Sequence, residues 1–91
     1  MSARIVVLSK PGCHLCEDAF GDVARIADDV GVTWTKRDIS NDTELMAQWA
    51  EYVPVILVDD EVHGWFRVDE QRLRAALAHD HDVRSRSSRG G

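Results

Sequence analysis

The sequence predicts one α/β domain with the element order βαβαββα. Three observations carry that reading: a length of 91 residues, apolar runs of strand type at 5–8 and 53–58, and stretches of helical period between and after them. A chain of this size builds one small core and has no room for a second domain. The folded domain is assigned to residues 1–79 and a polar tail to 80–91.

Ile5-Val6-Val7-Leu8 is continuous and largely β-branched, as expected of a central strand covered on both faces. Ser9-Lys10-Pro11-Gly12 breaks it. From Leu15 the apolar positions Ala19, Phe20, Val23, Ile26, Ala27 and Val30 recur at helical spacing, while Glu17, Asp18, Asp22, Arg25, Asp28 and Asp29 fall mainly on the opposite face. Gly31 then stands where a left-handed cap residue ends a helix. Residues 32–39 form the second strand, and Lys36, Arg37 and Asp38 suit it to a sheet edge.

Asn41 followed by Glu44 resembles a helix-start signal, with Leu45, Met46 and Trp49 as the apolar stripe of a short helix. The run 53–58, opened by Val53-Pro54, is the third strand. Asp59-Asp60-Glu61 turns it into a fourth at 62–66, although the turn lacks the favoured Asn-Gly pair. A last helix begins at Asp69 and directs Leu73, Ala76 and Leu77 inward. From Asp80 the chain is polar, with Val83 its one large apolar residue, and reads as disordered. A docking arm for anionic partners is the functional reading of its arginines, and a solubilising terminus the simpler one.

The chain's two cysteines are Cys13 and Cys16, in Cys13-His14-Leu15-Cys16 at the junction of the first strand and helix. Cys13 falls at or just before the first helical turn, where free N–H groups and the helix dipole favour a thiolate. Cysteines so placed have pKa values of about 3.5–7.5, against about 8.5 for a free thiol, and attack disulfides more readily at neutral pH. Cys16, three residues on, turns toward the Phe20, Val23 and Ala27 face, which suits a buried resolving thiol. The short apolar start is too brief for a signal peptide or membrane span, so a cytoplasmic monomer is expected. In a reducing compartment such a cysteine pair is catalytic or metal-binding rather than a structural staple. A net charge of −5 argues against a nucleic-acid surface.

The segments Ser9-Lys10-Pro11-Gly12-Cys13-His14-Leu15-Cys16 and Val53-Pro54-Val55, with the hairpin and helix over 62–77, resemble the glutaredoxin-like proteins of the thioredoxin superfamily. The resemblance covers roughly residues 4–78. It implies a four-stranded mixed sheet with helices on both faces, a cis bond before Pro54, and thiol–disulfide exchange through Cys13 and Cys16 without metal or organic cofactor. Lys10 corresponds to a lysine credited with supporting the thiolate and holding a substrate carboxylate. His14, when protonated, is a second thiolate-stabilising candidate, or else an exposed spacer.

The resemblance also puts Val53 and Pro54 opposite Cys13, where the Val53 main chain can pair with an extended substrate. Glutathione-dependent members usually carry Gly-Gly after the last strand. Here Trp65-Phe66 occupies that place, which argues against a glutathione subsite of that form. Trp65 and Phe66 suit either the core, the commoner fate of strand aromatics, or the wall of a substrate groove. Asp69 is a candidate for a substrate amine, or a simple helix cap. The expected partners are a disulfide-containing protein or a mixed disulfide of a small thiol, with an external thiol or reductase as electron donor. Two rival functions use the same residues. One is a zinc or iron–sulfur site drawing on the cysteines with His14, His63, His79 or His81, and the other is a redox-sensing module that forms its disulfide without turnover.

Overall fold

The computed structural model describes residues 3–78. His79 and His81, candidate metal ligands, and the tail at 80–91, expected to be disordered, lie outside the described residues. The elements are β1 (Ile5–Ser9), α1 (His14–Val30), β2 (Trp34–Asp38), α2 (Thr43–Trp49), β3 (Val55–Val58) and β4 (Glu61–Trp65), followed by α3 over 70–78. The order βαβαββα is the one read from the sequence.

The sheet order is β2-β1-β3-β4. Strand β2 runs parallel to β1, with Ile5 opposite Trp34 and Ser9 opposite Asp38. Strand β3 is antiparallel to β1, Val7 facing Ile56, and β4 is antiparallel to β3 with a register shift at Ile56/Leu57. The mixed sheet arises because β1 and β2 are joined through a helix, whereas β3 and β4 form a hairpin. In β2 all residues after Trp34 are exposed, as befits a charged edge.

Alternation along the central strands sends side chains to two cores. On one face Ile5, Val7, Ile56 and Val58 pack with Ala19, Val23, Ile26 and Ala27 of α1 and with Leu73 and Leu77 of α3. On the other, Leu8, Val53, Val55, Ile39 and Cys16 are covered by Leu45, Met46 and Trp49 around α2. The buried stripe of α1 follows the helical spacing, while Leu15 and Val30 at its ends are exposed. Gly31 closes α1 with φ 77°, its N–H donating to Ala27 O at 2.9 Å.

The structure moves several boundaries; β2, for one, is shortened from 32–39 to Trp34–Asp38. The start of α2 is capped by Asp42 rather than Asn41: Asp42 Oδ1 accepts from Leu45 N–H at 3.0 Å. An ionised carboxylate there also meets the positive end of the helix, which an amide cannot match. Strand β3 begins after Pro54, which lacks an N–H for the ladder. Phe66 lies beyond β4 with φ 72°, outside the hairpin that was expected to include it. The Asp59-Asp60 turn has φ 52° and 71°, the two left-handed residues of a tight hairpin turn, achieved without glycine.

Two ion-pair groups fasten the layers. Glu70 of α3 accepts from Arg25 of α1 at 2.9 and 3.1 Å and from Arg74 Nε at 2.9 Å. Arg74 also pairs with Asp29 of α1 at 2.6 Å. Arg4 holds Asp59 in the hairpin turn through two bonds, 3.0 and 2.8 Å.

Candidate functional site

The break at Ser9-Lys10-Pro11-Gly12 ends β1 and returns the chain into α1. Gly12 adopts φ 80°, which a residue without a side chain accommodates. This reversal leaves Cys13 in extended conformation (φ −94°, ψ 108°) as the N-cap of α1. Its Sγ accepts from the Cys16 N–H at 3.1 Å, taking the place an oxygen holds in an ordinary cap. Cys13 and Cys16 are disulfide-bonded, with Cα atoms 5.2 Å apart.

The two sulfurs have different surroundings. Cys13 is half-buried, while Cys16 is only 1% exposed and packs with Leu8, Ile39, Val53 and Val55. Cys13 rests against the same cluster, so the thiol pair and Val53 share one packed unit. The Val53–Pro54 peptide bond is cis, in agreement with the resemblance, and both residues are buried.

Lys10 is half-buried at the rim of a cleft of about 380 Å³. Lys36 lines the same cleft from β2, its Nζ 4.6 Å from the centre of the Phe20 ring, an arrangement that fixes the ammonium by cation–π attraction. Asp38, also on this cleft, is held below the usual carboxylate range by hydrogen bonds from the Ser40 side chain and backbone. His14 is the first residue of α1 and is exposed.

Trp65 and Phe66 are 47% and 41% exposed, so the core alternative fails for both. The hairpin ends at the sheet edge and Phe66 leaves it in a left-handed conformation. The Trp65 and Phe66 rings meet Tyr52, which is 42% exposed: Trp49 and Trp65 each lie edge-on to it at 6.0 Å, and Phe66 is tilted at 6.1 Å. Tyr52 directly precedes Val53-Pro54, and Phe66 N–H donates to Pro54 O at 2.9 Å. The aromatic group therefore adjoins the cis-proline loop. Sequence reasoning missed Tyr52 and Trp49; their spacing of three was a local clue, but the meeting with Trp65 depends on the fold. Asp69 is exposed and caps α3, its Oδ1 accepting from Arg72 N–H at 3.1 Å.

A family model described as a glutaredoxin-like domain (DUF836) matches residues 4–78. The chain belongs to this family. Relatives of the glutaredoxin-like domain include uncharacterized proteins of Mycobacterium tuberculosis and Mycobacterium bovis, each 28% identical over 80 residues that span 82% of either chain. The solution structure of protein Ne2328 from Nitrosomonas europaea superposes with a TM-score of 0.72 at 22% identity, over 84% of this chain and 92% of that one. The X-ray structure of XcR50 from X. campestris gives 0.68 at 24% identity, over 82% and 96%. These likenesses establish the fold. With its cysteine pair at the start of α1, the glutaredoxin-like domain fits thiol redox chemistry. Among the described residues, no helix is long and apolar enough to cross a membrane.

Proposed function

We propose that this glutaredoxin-like protein is a dithiol oxidoreductase that reduces disulfides through Cys13 and Cys16. The observation that carries the reading is the asymmetric cysteine pair, with Cys13 Sγ capping α1 while Cys16 is sealed in the core. Partial exposure lets Cys13 meet a substrate. The N–H donor and the helix dipole favour its thiolate over its thiol.

In the proposed cycle the Cys13 thiolate attacks one sulfur of the substrate disulfide. A Cys13–substrate disulfide forms, and the other substrate sulfur leaves as a thiolate that takes a proton from solvent. Cys16, once deprotonated, attacks Cys13 Sγ, closes the Cys13–Cys16 bond and releases the second substrate sulfur. Two electrons have then passed to the substrate. An external thiol or a reductase returns them by reopening the intramolecular bond.

The remaining residues act on binding and charge. Lys10 and, when protonated, His14 add positive charge near the thiolate. The main chain of Val53, presented at Pro54, pairs with an extended substrate segment, and Trp65 contacts the segment's apolar parts. Asp69 accepts from a substrate amine through the oxygen its helix cap leaves free.

The test is coupled reduction of a protein disulfide and of a small-thiol mixed disulfide, each driven separately by small thiols and by thioredoxin reductase, with wild type, Cys13→Ser and Cys16→Ser. Cys13→Ser is expected to be inactive with every donor. Activity of Cys13→Ser near that of wild type would overturn the nucleophile assignment. Loss in Cys16→Ser identifies the dithiol route, whereas survival with a small thiol identifies a monothiol route.

A further inference from the structure

Among the described residues, Arg4, Arg25, Arg37 and Arg74 each pair with a carboxylate. Arg67 and Arg72 have no carboxylate partner there, and both line the same cavity, of about 290 Å³, with His63, Gly64, Trp65 and Asp69. In a chain of net charge −5, two guanidinium groups that make no ion pair among the described residues and share one cavity with a single carboxylate, Asp69, are a specific arrangement. We propose that this cavity, between β4 and the start of α3, binds an organic oxyanion, a carboxylate or phosphate attached to an apolar body.

Arg72 is already positioned for that ligand. Its Nη2 donates to His63 O at 3.4 Å, and its Nη1 lies 4.0 Å from where a side chain on Gly64 would begin. The bare strand backbone at Gly64 supports the guanidinium and leaves other N–H groups of the fork available for an oxyanion. Arg67 approaches from the loop between β4 and α3.

His63 supplies an independent sign of a missing partner: its Nε2 is buried and has no hydrogen-bond partner. Burial, the main cause, and the neighbouring Arg72 push its pKa down, while Asp69 opposes them. The ring is therefore neutral near neutral pH and can carry its proton on Nε2, as a donor to an anion in the cavity. Asp69 spends one oxygen on the helix cap and leaves the arginine pair in excess. Trp65 adds an apolar wall, which favours an anion carrying an organic group over a bare inorganic ion.

The cavity shares Trp65 and Asp69 with the substrate surface proposed above, but binding is read on the oxidised chain, so it can fail without the redox reading failing. Inorganic phosphate, phenyl phosphate and phenylacetate are titrated at fixed ionic strength while the His63 ring and Trp65 indole resonances are followed by NMR. Phenyl phosphate or phenylacetate is expected to move both signals to saturation, with the stronger of the two identifying the anion, and inorganic phosphate is expected to bind more weakly. Arg72→Gln, and separately Arg67→Gln in case the first disturbs β4, should weaken binding about tenfold or more, the scale of losing a charge-assisted fork. Arg37→Gln, on the edge strand β2, should leave binding unchanged. Absence of saturable shifts with both organic anions, or equal weakening by Arg37→Gln, would overturn the site.

Discussion

Phe66 donates its backbone N–H to the Pro54 carbonyl across 2.9 Å while adopting φ 72°. The bond ties the loop after β4 to the loop before β3 and so links the aromatic group to the cis-proline. Phe66→Gly keeps the donor and suits the left-handed backbone, and should retain the fold. Phe66→Pro removes the donor and demands φ near −65°, which should cost about 3 kcal/mol or more. Urea denaturation of both variants checks the contrast. Equal stability would show that the bond and the backbone conformation do not matter.

Tyr52 is the centre of the exposed aromatic group, in ring contact with Trp49, Trp65 and Phe66. If Cys13 acts as proposed, an apolar surface beside the cis-proline loop serves a polypeptide better than a small thiol conjugate. Tyr52→Ala is expected to raise KM severalfold for a protein disulfide and to change it little for a small mixed disulfide. Steady-state kinetics with both substrates checks this. Equal effects would assign the tyrosine a purely structural role.

Hydrogen bonds from Arg25 and then Arg74 lower the Glu70 pKa from 4.5 to about 2. Since the folded value lies below the ordinary one, this contribution to stability is complete above about 4.5 and fades as pH falls toward about 2. Glu70→Gln should therefore melt lower than wild type at neutral pH, and the two should converge in acid. Thermal unfolding across that range reads the difference, and a gap independent of pH would contradict it. Because these side chains are exposed, high salt should also narrow the gap.

At the hairpin turn, Asp59 is held by Arg4, whereas Asp60 carries φ 71° on an exposed side chain. Asp60→Gly should raise stability by about 0.5–1 kcal/mol, since glycine relieves the left-handed strain and the carboxylate is not buried. A shift of the denaturation midpoint at unchanged slope would register the gain. A lower midpoint would mean that Asp60 has a favourable contact outweighing the strain.

How far the sequence could be read follows from the range of each signal. The α1 stripe of Cys16, Ala19, Val23, Ile26 and Ala27 and its Gly31 stop are written within one segment, and the structure reproduces both. The contrast between Cys13 and Cys16 was equally local, because helical geometry alone separates a capping residue from one facing inward. Asp42 escaped notice because Asn41 offered the same kind of side chain one residue earlier. Trp65 and Phe66 could not be assigned from propensity: whether a strand-end aromatic faces a helix or solvent depends on where the helices stop. The convergence of Tyr52 with Trp65, and of Arg67 and Arg72 with His63, is tertiary and left no periodic trace.

The sulfur cap on α1 makes folding and electron transfer two sides of one thermodynamic cycle. The difference in unfolding free energy between the dithiol and disulfide chains must equal the difference in the free energy of closing that disulfide in the folded and unfolded chains. Donors that stabilise a Cys13 thiolate in the reduced form thereby raise the reduction potential of the pair and resist its oxidation. A substitution anywhere along α1 that strains one redox form more than the other will move that potential, even if it never touches a sulfur.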